Sequence, residues 1–129
     1  MKLLLDTHML VWLATDRSQL NARELSAIDD EANILMLSSI SLWELRAKIR
    51  AERRRDRHQL TLDPAGAIMF CGEYDVEIDV ARADDAAAIL LVEPQHGDPF
   101  DEMLLVHAQR LGAKLLTRDR KLLEHPLAF

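Results

Sequence analysis

Lys2-Leu3-Leu4-Leu5-Asp6 (KLLLD, residues 2–6) is the stretch that decides the fold. A short, uninterrupted aliphatic run reads as a buried strand. The acid that ends it then lies at the mouth of a sheet, where a strand hands over to a helix. His8 to Ala14 reads as that helix, with Leu10, Leu13 and the Trp12 ring for packing.

The same alternation continues outward. Asn21 predicts an N-cap for a helix through about Glu31, with Leu25 and Ile28 facing inward. Ile34 to Leu37 is a second strand. Ser38 to about Arg55 reads as a long helix, apolar at Leu42, Trp43, Leu45 and Ile49. Asp63-Pro64 pairs a cap with a proline at the first helical position and starts a helix carrying Ile68, Met69 and Tyr74. Val76 to Val80 alternates as a half-exposed edge strand does. Ala83 to Val92 predicts an Ala- and Leu-rich helix, and Gln95-His96-Gly97 a loop. Asp98-Pro99 opens a helix to Leu111, with Gly112 as its C-cap. Lys114 to Leu116 is a last strand and Asp119 to Leu123 a last short helix. Ala51 to Leu60 is the predicted flexible part. Strands alternating with helices predict an α/β domain with a mostly parallel sheet.

Bulk properties narrow the class. The chain has 129 residues, which suits a single domain over 1–129. It is 49% hydrophobic and 29% charged, an ordinary globular balance. The lone cysteine, Cys71, rules out a disulfide framework and reads as a reduced core residue. The apolar start is interrupted by Asp6 and His8, unlike a signal peptide, and no run reaches the ~20 residues of a membrane span. A soluble, cytoplasmic protein is expected. The formal net charge of −6 taken alone counts against a nucleic-acid partner. Acids held in a metal site, however, inflate that count.

Asp6, Glu44, Asp101 and Asp119 fall at strand-to-helix junctions, with Asp98 beside them. Ligands of open α/β sheets bind outside the carboxyl ends of the strands. Each acid also has a local use. Asp6, Asp98 and Asp119 suit N-caps. Glu44 follows Ser41 in capping-box spacing and precedes Lys48 at i+4. If the sheet is parallel, all of them gather along one edge, where like charges destabilise one another. A hard cation such as Mg²⁺ or Mn²⁺ would hold them, activate water and neutralise charge on a phosphate. Thr117 could bond a neighbouring carboxylate or a metal-bound water.

Arg46, Lys48, Arg50, Arg53, Arg54, Arg55 and Arg57 crowd one segment, diluted by Glu52 and Asp56. That segment reads either as a solvated helix face or as a patch that tracks phosphates or contacts a partner. No aromatic residue interleaves it, so base stacking is not indicated. The histidines (His8, His58, His96, His107, His125) show no zinc spacing. There is no Gly-rich phosphate loop or Gly-x-Ser-x-Gly elbow.

LLLDTHMLVWL, SSISLWELRAK, HGDPFDEMLLVHAQRLG and LLTRDRKLL, in this order and spacing, resemble the PIN-domain family, and within it the VapC-type toxins of bacterial toxin–antitoxin pairs. The resemblance spans nearly the whole chain. It implies a three-layer α/β/α sandwich around a mostly parallel sheet. It also implies an endoribonuclease dependent on Mg²⁺ or Mn²⁺, acting on RNA such as tRNA. Asp6, Glu44, Asp101 and Asp119 fall on the family's catalytic, metal-holding acids, with Asp98 and Thr117 behind them. A homodimer and a small VapB-like antitoxin are the implied partners, with the antitoxin tail over the active-site groove. Glu102 stands where many relatives carry arginine, which makes the rim more acidic.

Two other classes compete. Haloacid-dehalogenase-type phosphatases also place Asp after an apolar first strand, but with a second Asp two residues on, where this chain has His8. A non-catalytic module would use the acidic groove to bind a cationic partner peptide.

Overall fold

A computed structural model of the chain describes residues 1–55, 62–95 and 97–129. The expected flexibility of Ala51 to Leu60, and the expected roles of Arg57, His58 and His96, fall wholly or partly outside the described residues.

Four strands form one all-parallel sheet: β1 (Lys2–Leu5), β2 (Ile34–Ser38), β3 (Glu77–Asp79) and β4 (Lys114–Leu116), in the order β3-β2-β1-β4. The helices among the described residues are α1 (Thr7–Thr15), α2 (Ala22–Asp29), α3 (Ser39–Arg54), α4 (Pro64–Glu73), α5 (Ala83–Ala87) and α6 (Pro99–Leu111).

Register explains the layers. Leu5 lies opposite Leu37 and Leu116, and Leu4 opposite Met36 and Leu115. Successive strand residues point to opposite faces, so the two rows feed two cores. Leu5, Leu37 and Leu116 pack with Met9 and Leu10 of α1, Ile28 of α2, Leu45 of α3 and Cys71 of α4. Leu4, Met36 and Leu115 pack with Leu104, Leu105 and Ala108 of α6. Helices therefore cover both faces, giving the expected three-layer sandwich. That is why the strands read as continuous apolar runs. β3 is the expected edge strand, but its alternation does not become a buried face: Ile78 and Val80 are exposed along with Glu77, and Val76 just before the strand is buried. Burial pushes the Cys71 thiol up to about 11, which suits an inert core residue. No helix among the described residues is long and apolar enough to cross a membrane.

Three expectations change. The helix predicted for Ala83 to Val92 stops at Ala87, and Ala88 turns extended (ψ 144°). Beyond it, the Gln109 side chain accepts from the Leu91 N–H (2.9 Å) and donates to the Ile89 carbonyl (3.0 Å), replacing helical bonds. Asp119 to Leu123 is a series of turns, closed by Leu122 N–H donating to the Asp119 carbonyl (2.9 Å), with Leu122 buried in the α6 core. On α4, Ala67 and Cys71 face inward, while Ile68, Met69 and Tyr74 are exposed.

Candidate active site

The strand order defines a crevice. From β1 the chain steps outward through β2 to β3, then returns to the other side of β1 as β4. In such sheets this reversal opens a cleft outside the carboxyl ends of the two strands at which it occurs. Here they are β1 and β4, which are followed by Asp6 and by Thr117-Arg118-Asp119.

Asp6 occupies the N-cap position of α1 but makes no side-chain capping bond. Its Oδ2 accepts instead from the Thr117 hydroxyl at 2.7 Å, and its backbone N–H donates to the Leu116 carbonyl at 3.0 Å. The carboxyl is buried, and burial pushes its pKa above the ordinary value. The Thr117 hydrogen bond and the His8 charge oppose that shift, while the negative charge of Glu44 adds to it. Thr117 also accepts from the Asp119 backbone N–H at 3.0 Å, so one hydroxyl ties both strand ends together.

Glu44 is buried on the second turn of α3. The capping box expected with Ser41 does not form. Ser38 caps α3 by accepting from the Ile40 N–H, and Ser41 lies inside the helix. Thr7 Oγ1 is 2.9 Å from Glu44 Oε1, to which it donates, and 3.0 Å from Ser41 Oγ. Lys48 Nζ pairs with the other oxygen, Oε2, at 2.5 Å, the expected i, i+4 contact. Leu45 is fully buried beside it, whereas Trp43 points outward.

Asp98 is a helix cap, as one of its two readings holds. Its Oδ1 accepts from the N–H groups of Phe100 (2.9 Å) and Asp101 (3.4 Å). Asp101 stands on the first turn of α6, half-buried. Asp119 Oδ1 accepts from the Lys121 N–H at 2.9 Å in a local turn.

All five acids line one cavity of about 570 Å³, together with His8, Met9, Trp12, Lys48, Phe100 and Arg118. The sequence-predicted residues are thus brought to one place from four separate stretches of chain. Among the described residues, no three Asp, Glu, His or Cys side chains stand as a closed metal site. Lys48 draws Glu44 aside, and backbone donors hold Asp98 and Asp119. The donor set nevertheless suits a hard divalent cation, because it is carboxylate oxygen without sulfur.

Arg118 was legible only as the middle of Thr117-Arg118-Asp119. Its Nε donates to Glu24 Oε1 at 2.8 Å, and its Nη2 bonds Glu24 Oε2 and, at 2.8 Å, the Gln19 carbonyl. The guanidinium lies 4.6 Å from the Trp12 ring centroid. A permanent cation is thereby pinned at the cavity wall by a buried carboxylate and an aromatic face.

A second polar network escaped the sequence reading. His107, fully buried on α6, has Nδ1 at 2.7 Å from Ser38 Oγ and Nε2 at 2.8 Å from Asp79 Oδ1. Arg110 Nη2 lies 2.7 Å from the same Nε2. Arg110 donates to Asp79 (2.7 Å) and to Asp85 (2.6 Å). The signal was a histidine placed between Val106 and Ala108, at an apolar position of the helix.

The basic segment borders two depressions. Arg46 and Arg50 line both, joined by Trp43 and Arg54 in one and by Arg53, Asp63 and Pro64 in the other. Arg55 is exposed at the end of α3.

A parallel three-layer domain with five carboxylates in the cavity at its switch point is an acidic-site α/β protein. A family model described as the PIN domain matches residues 3–126, and the chain belongs to that family. It is 28% identical over 122 residues to a protein named Ribonuclease VapC22 from Mycobacterium tuberculosis (strain ATCC 25618 / H37Rv), covering 95% of this chain and 90% of that one. Its fold is similar to a chain in the crystal structure of VapBC2 from Rickettsia felis bound to a DNA fragment from their promoter. That match has a TM-score of 0.64 at 18% identity and covers 100% of this chain and 96% of that chain.

Proposed function

We propose that this protein is a divalent-metal-dependent endoribonuclease, the toxin of a VapBC-type pair. The observation that carries the reading is the convergence of Asp6, Glu44, Asp98, Asp101 and Asp119 on one cavity at the β1/β4 switch point. The likeness to a protein named as a ribonuclease supports the activity, and the likeness to a VapBC complex supports a VapB-like antitoxin as partner.

In this reading Asp6, Glu44, Asp101 and Asp119 hold Mg²⁺ or Mn²⁺. When bound, the ion supplies an activated water and neutralises charge developing on the phosphodiester. The chain's own residues do the rest. Thr117 fixes the rotamer of Asp6 and Thr7 that of Glu44, so the carboxylates are oriented before substrate arrives. Lys48 balances the charge of Glu44. Arg118, immobilised by Glu24, offers its remaining N–H edge to a phosphate oxygen. Ile89, Leu91 and Val92, exposed together after α5, supply apolar surface suited to a homodimer.

The test is cleavage of tRNA and messenger RNA by purified protein with Mg²⁺, with Mn²⁺ and with chelator. Asp101→Asn should abolish cleavage while leaving the melting profile cooperative. Undiminished cleavage by Asp101→Asn, or by wild type in chelator, would overturn the assignment.

A further inference from the structure

Trp43 is 65% exposed on α3. A single exposed aromatic is ordinary, but its neighbours are not. Trp43, Arg46, Ala47, Arg50, Ala51 and Arg54 line one shallow depression of about 370 Å³. Spacings of three and four residues place them in one stripe along the helix. Eleven steps of about 1.5 Å from Trp43 to Arg54 make the stripe roughly 16 Å long.

The arginines of the stripe are not held by carboxylates as the cations of the built networks are. Arg17, Lys48, Arg110 and Arg118 each pair with a carboxylate. Among the described residues no carboxylate pairs with Arg46, Arg50 or Arg54. A chain of net charge −6 thus carries a row of guanidinium groups along one helix face, with the carboxylate of Asp63 bordering Arg46 and Arg50 only on the neighbouring depression. Such a row repels itself and attracts a polyanion.

The stripe also leads somewhere. Ala47 and Ala51 line both this depression and the acidic cavity. Their small side chains form a low ridge between the arginines and the carboxylates. The two depressions therefore meet at these two alanines.

We propose that this face of α3 is the track on which single-stranded RNA enters the site. Phosphates ride on Arg46, Arg50 and Arg54, and a base beside the scissile linkage stacks on Trp43. The inference rests on the nuclease reading above and names its substrate-binding surface. Guanidinium forks match phosphate oxygens, and an aromatic face accepts any base without reading its edge. An acidic peptide would suit the arginines but would be repelled at the cavity. A cationic antitoxin segment would suit the cavity but be repelled by the arginines. Of the three, a polyanion that carries its phosphate to a cation site fits both ends. The aromatic partner belongs to the segment after all: Trp43 precedes the basic run in sequence, and the helix turns it onto the same face.

The test measures binding of a fluorescein-labelled oligouridine by anisotropy, in chelator so that nothing is cut, across a salt series. Trp43→Ala should weaken binding roughly tenfold and Trp43→Phe by far less. Replacing Arg46, Arg50 and Arg54 together with alanine should flatten the salt dependence by about 0.7 for each phosphate no longer neutralised. Thermal melting checks that each variant folds. Unchanged affinity and salt slope in both the Trp43→Ala and triple variants would overturn the proposal. Loss of antitoxin binding with RNA binding intact would overturn it too, and assign the face to the protein partner. If wild type cuts RNA and the variants cut it equally well, only the track fails. If wild type neither binds nor cuts RNA, the nuclease reading fails with it.

Discussion

Thr117 donates its hydroxyl to Asp6 Oδ2 at 2.7 Å across 111 residues of sequence. The bond joins the ends of the two strands that flank the switch point and sets the orientation of a buried acid. Thr117→Val keeps the shape and removes the donor. The Asp6 pKa, already raised by burial, should rise further, because a bond that favours the charged form is lost. RNA cleavage should fall about tenfold near neutral pH, and its acidic limb should move to higher pH. A pH–rate profile of Thr117→Val superimposable on wild type would refute this role.

Burial of Asp6 as a carboxylate costs stability. Its folded pKa is raised, so its stabilising contribution is complete below the unfolded value of 3.8 and is lost as pH rises through the folded pKa. At neutral pH the ionised group therefore works against folding. Asp6→Asn, which can still accept from Thr117, should melt a few degrees higher than wild type in chelator at pH 7. Mg²⁺ or Mn²⁺ should raise the wild-type melting temperature and leave that of the variant almost unchanged. Calorimetry with and without metal reads both effects, and a lower melting temperature for Asp6→Asn in chelator contradicts the argument.

The network around Arg110 has the opposite sign. Hydrogen bonds from His107 and then Arg110 hold Asp79 below the ordinary carboxylate value. For Asp85 burial pushes upward, but the Arg110 hydrogen bond and the other favourable contacts outweigh it. Groups with depressed pKa values stabilise fully above the unfolded value of 3.8 and lose that contribution as pH falls through the folded ones. Arg110→Ala should cost about 1–3 kcal/mol at pH 7, since it leaves two partly buried acids without their cation. Its penalty should shrink in denaturant titrations below about pH 4. A penalty independent of pH would show that packing of the Arg110 stem, not charge, accounts for the effect.

How much of this was legible follows from where each signal lives. Leu3 to Leu5, Ile34 to Leu37 and Leu115-Leu116 announce strands because both faces of the sheet are covered. Asp98-Pro99 and Gly112 announce the limits of α6 because capping chemistry is local. The convergence of the acids was legible only through topology: parallel strands place all their following residues along one edge. What failed was decided at long range. Residues 88–91 have a helical composition, but the amide of Gln109, about twenty residues later, bonds that backbone instead. Ser41-x-x-Glu44 matches a capping box, but Ser38 takes the cap and Thr7, from another helix, takes Glu44. Arg118 gave no local sign that a buried acid on α2 would pin it.

The Glu24–Arg118 pair gives a test that separates position from charge. Glu24 also caps α2, accepting from the Asn21 N–H at 2.8 Å. Glu24→Gln keeps one oxygen for the Asn21 N–H and Arg118 Nη2 but sets an amide NH2 against Arg118 Nε and removes the charge that fixes the guanidinium. The helix cap should survive, so the cost in stability should stay near 1 kcal/mol. If Arg118 serves the phosphate, RNA cleavage should fall several-fold through a raised KM. Arg118→Lys should not restore it, because a lysine cannot bridge the Glu24 oxygens and the Trp12 face together. Equal cleavage by Glu24→Gln and wild type would make the pair a purely structural tie between α2 and the β4 end.

Gly112 supplies the simplest check of the fold. It closes α6 with φ +63°, in the left-handed region, and nothing lies within 4 Å of where a Cβ would stand. Gly112→Ala should therefore cost about 1 kcal/mol through backbone conformation alone. Gly112→Asn should cost less, because asparagine tolerates that region better. RNA cleavage should be unaffected in both, since this turn leads into the start of β4, at the opposite edge of the sheet from Asp6. A larger loss for asparagine than for alanine in chemical denaturation would contradict the left-handed assignment.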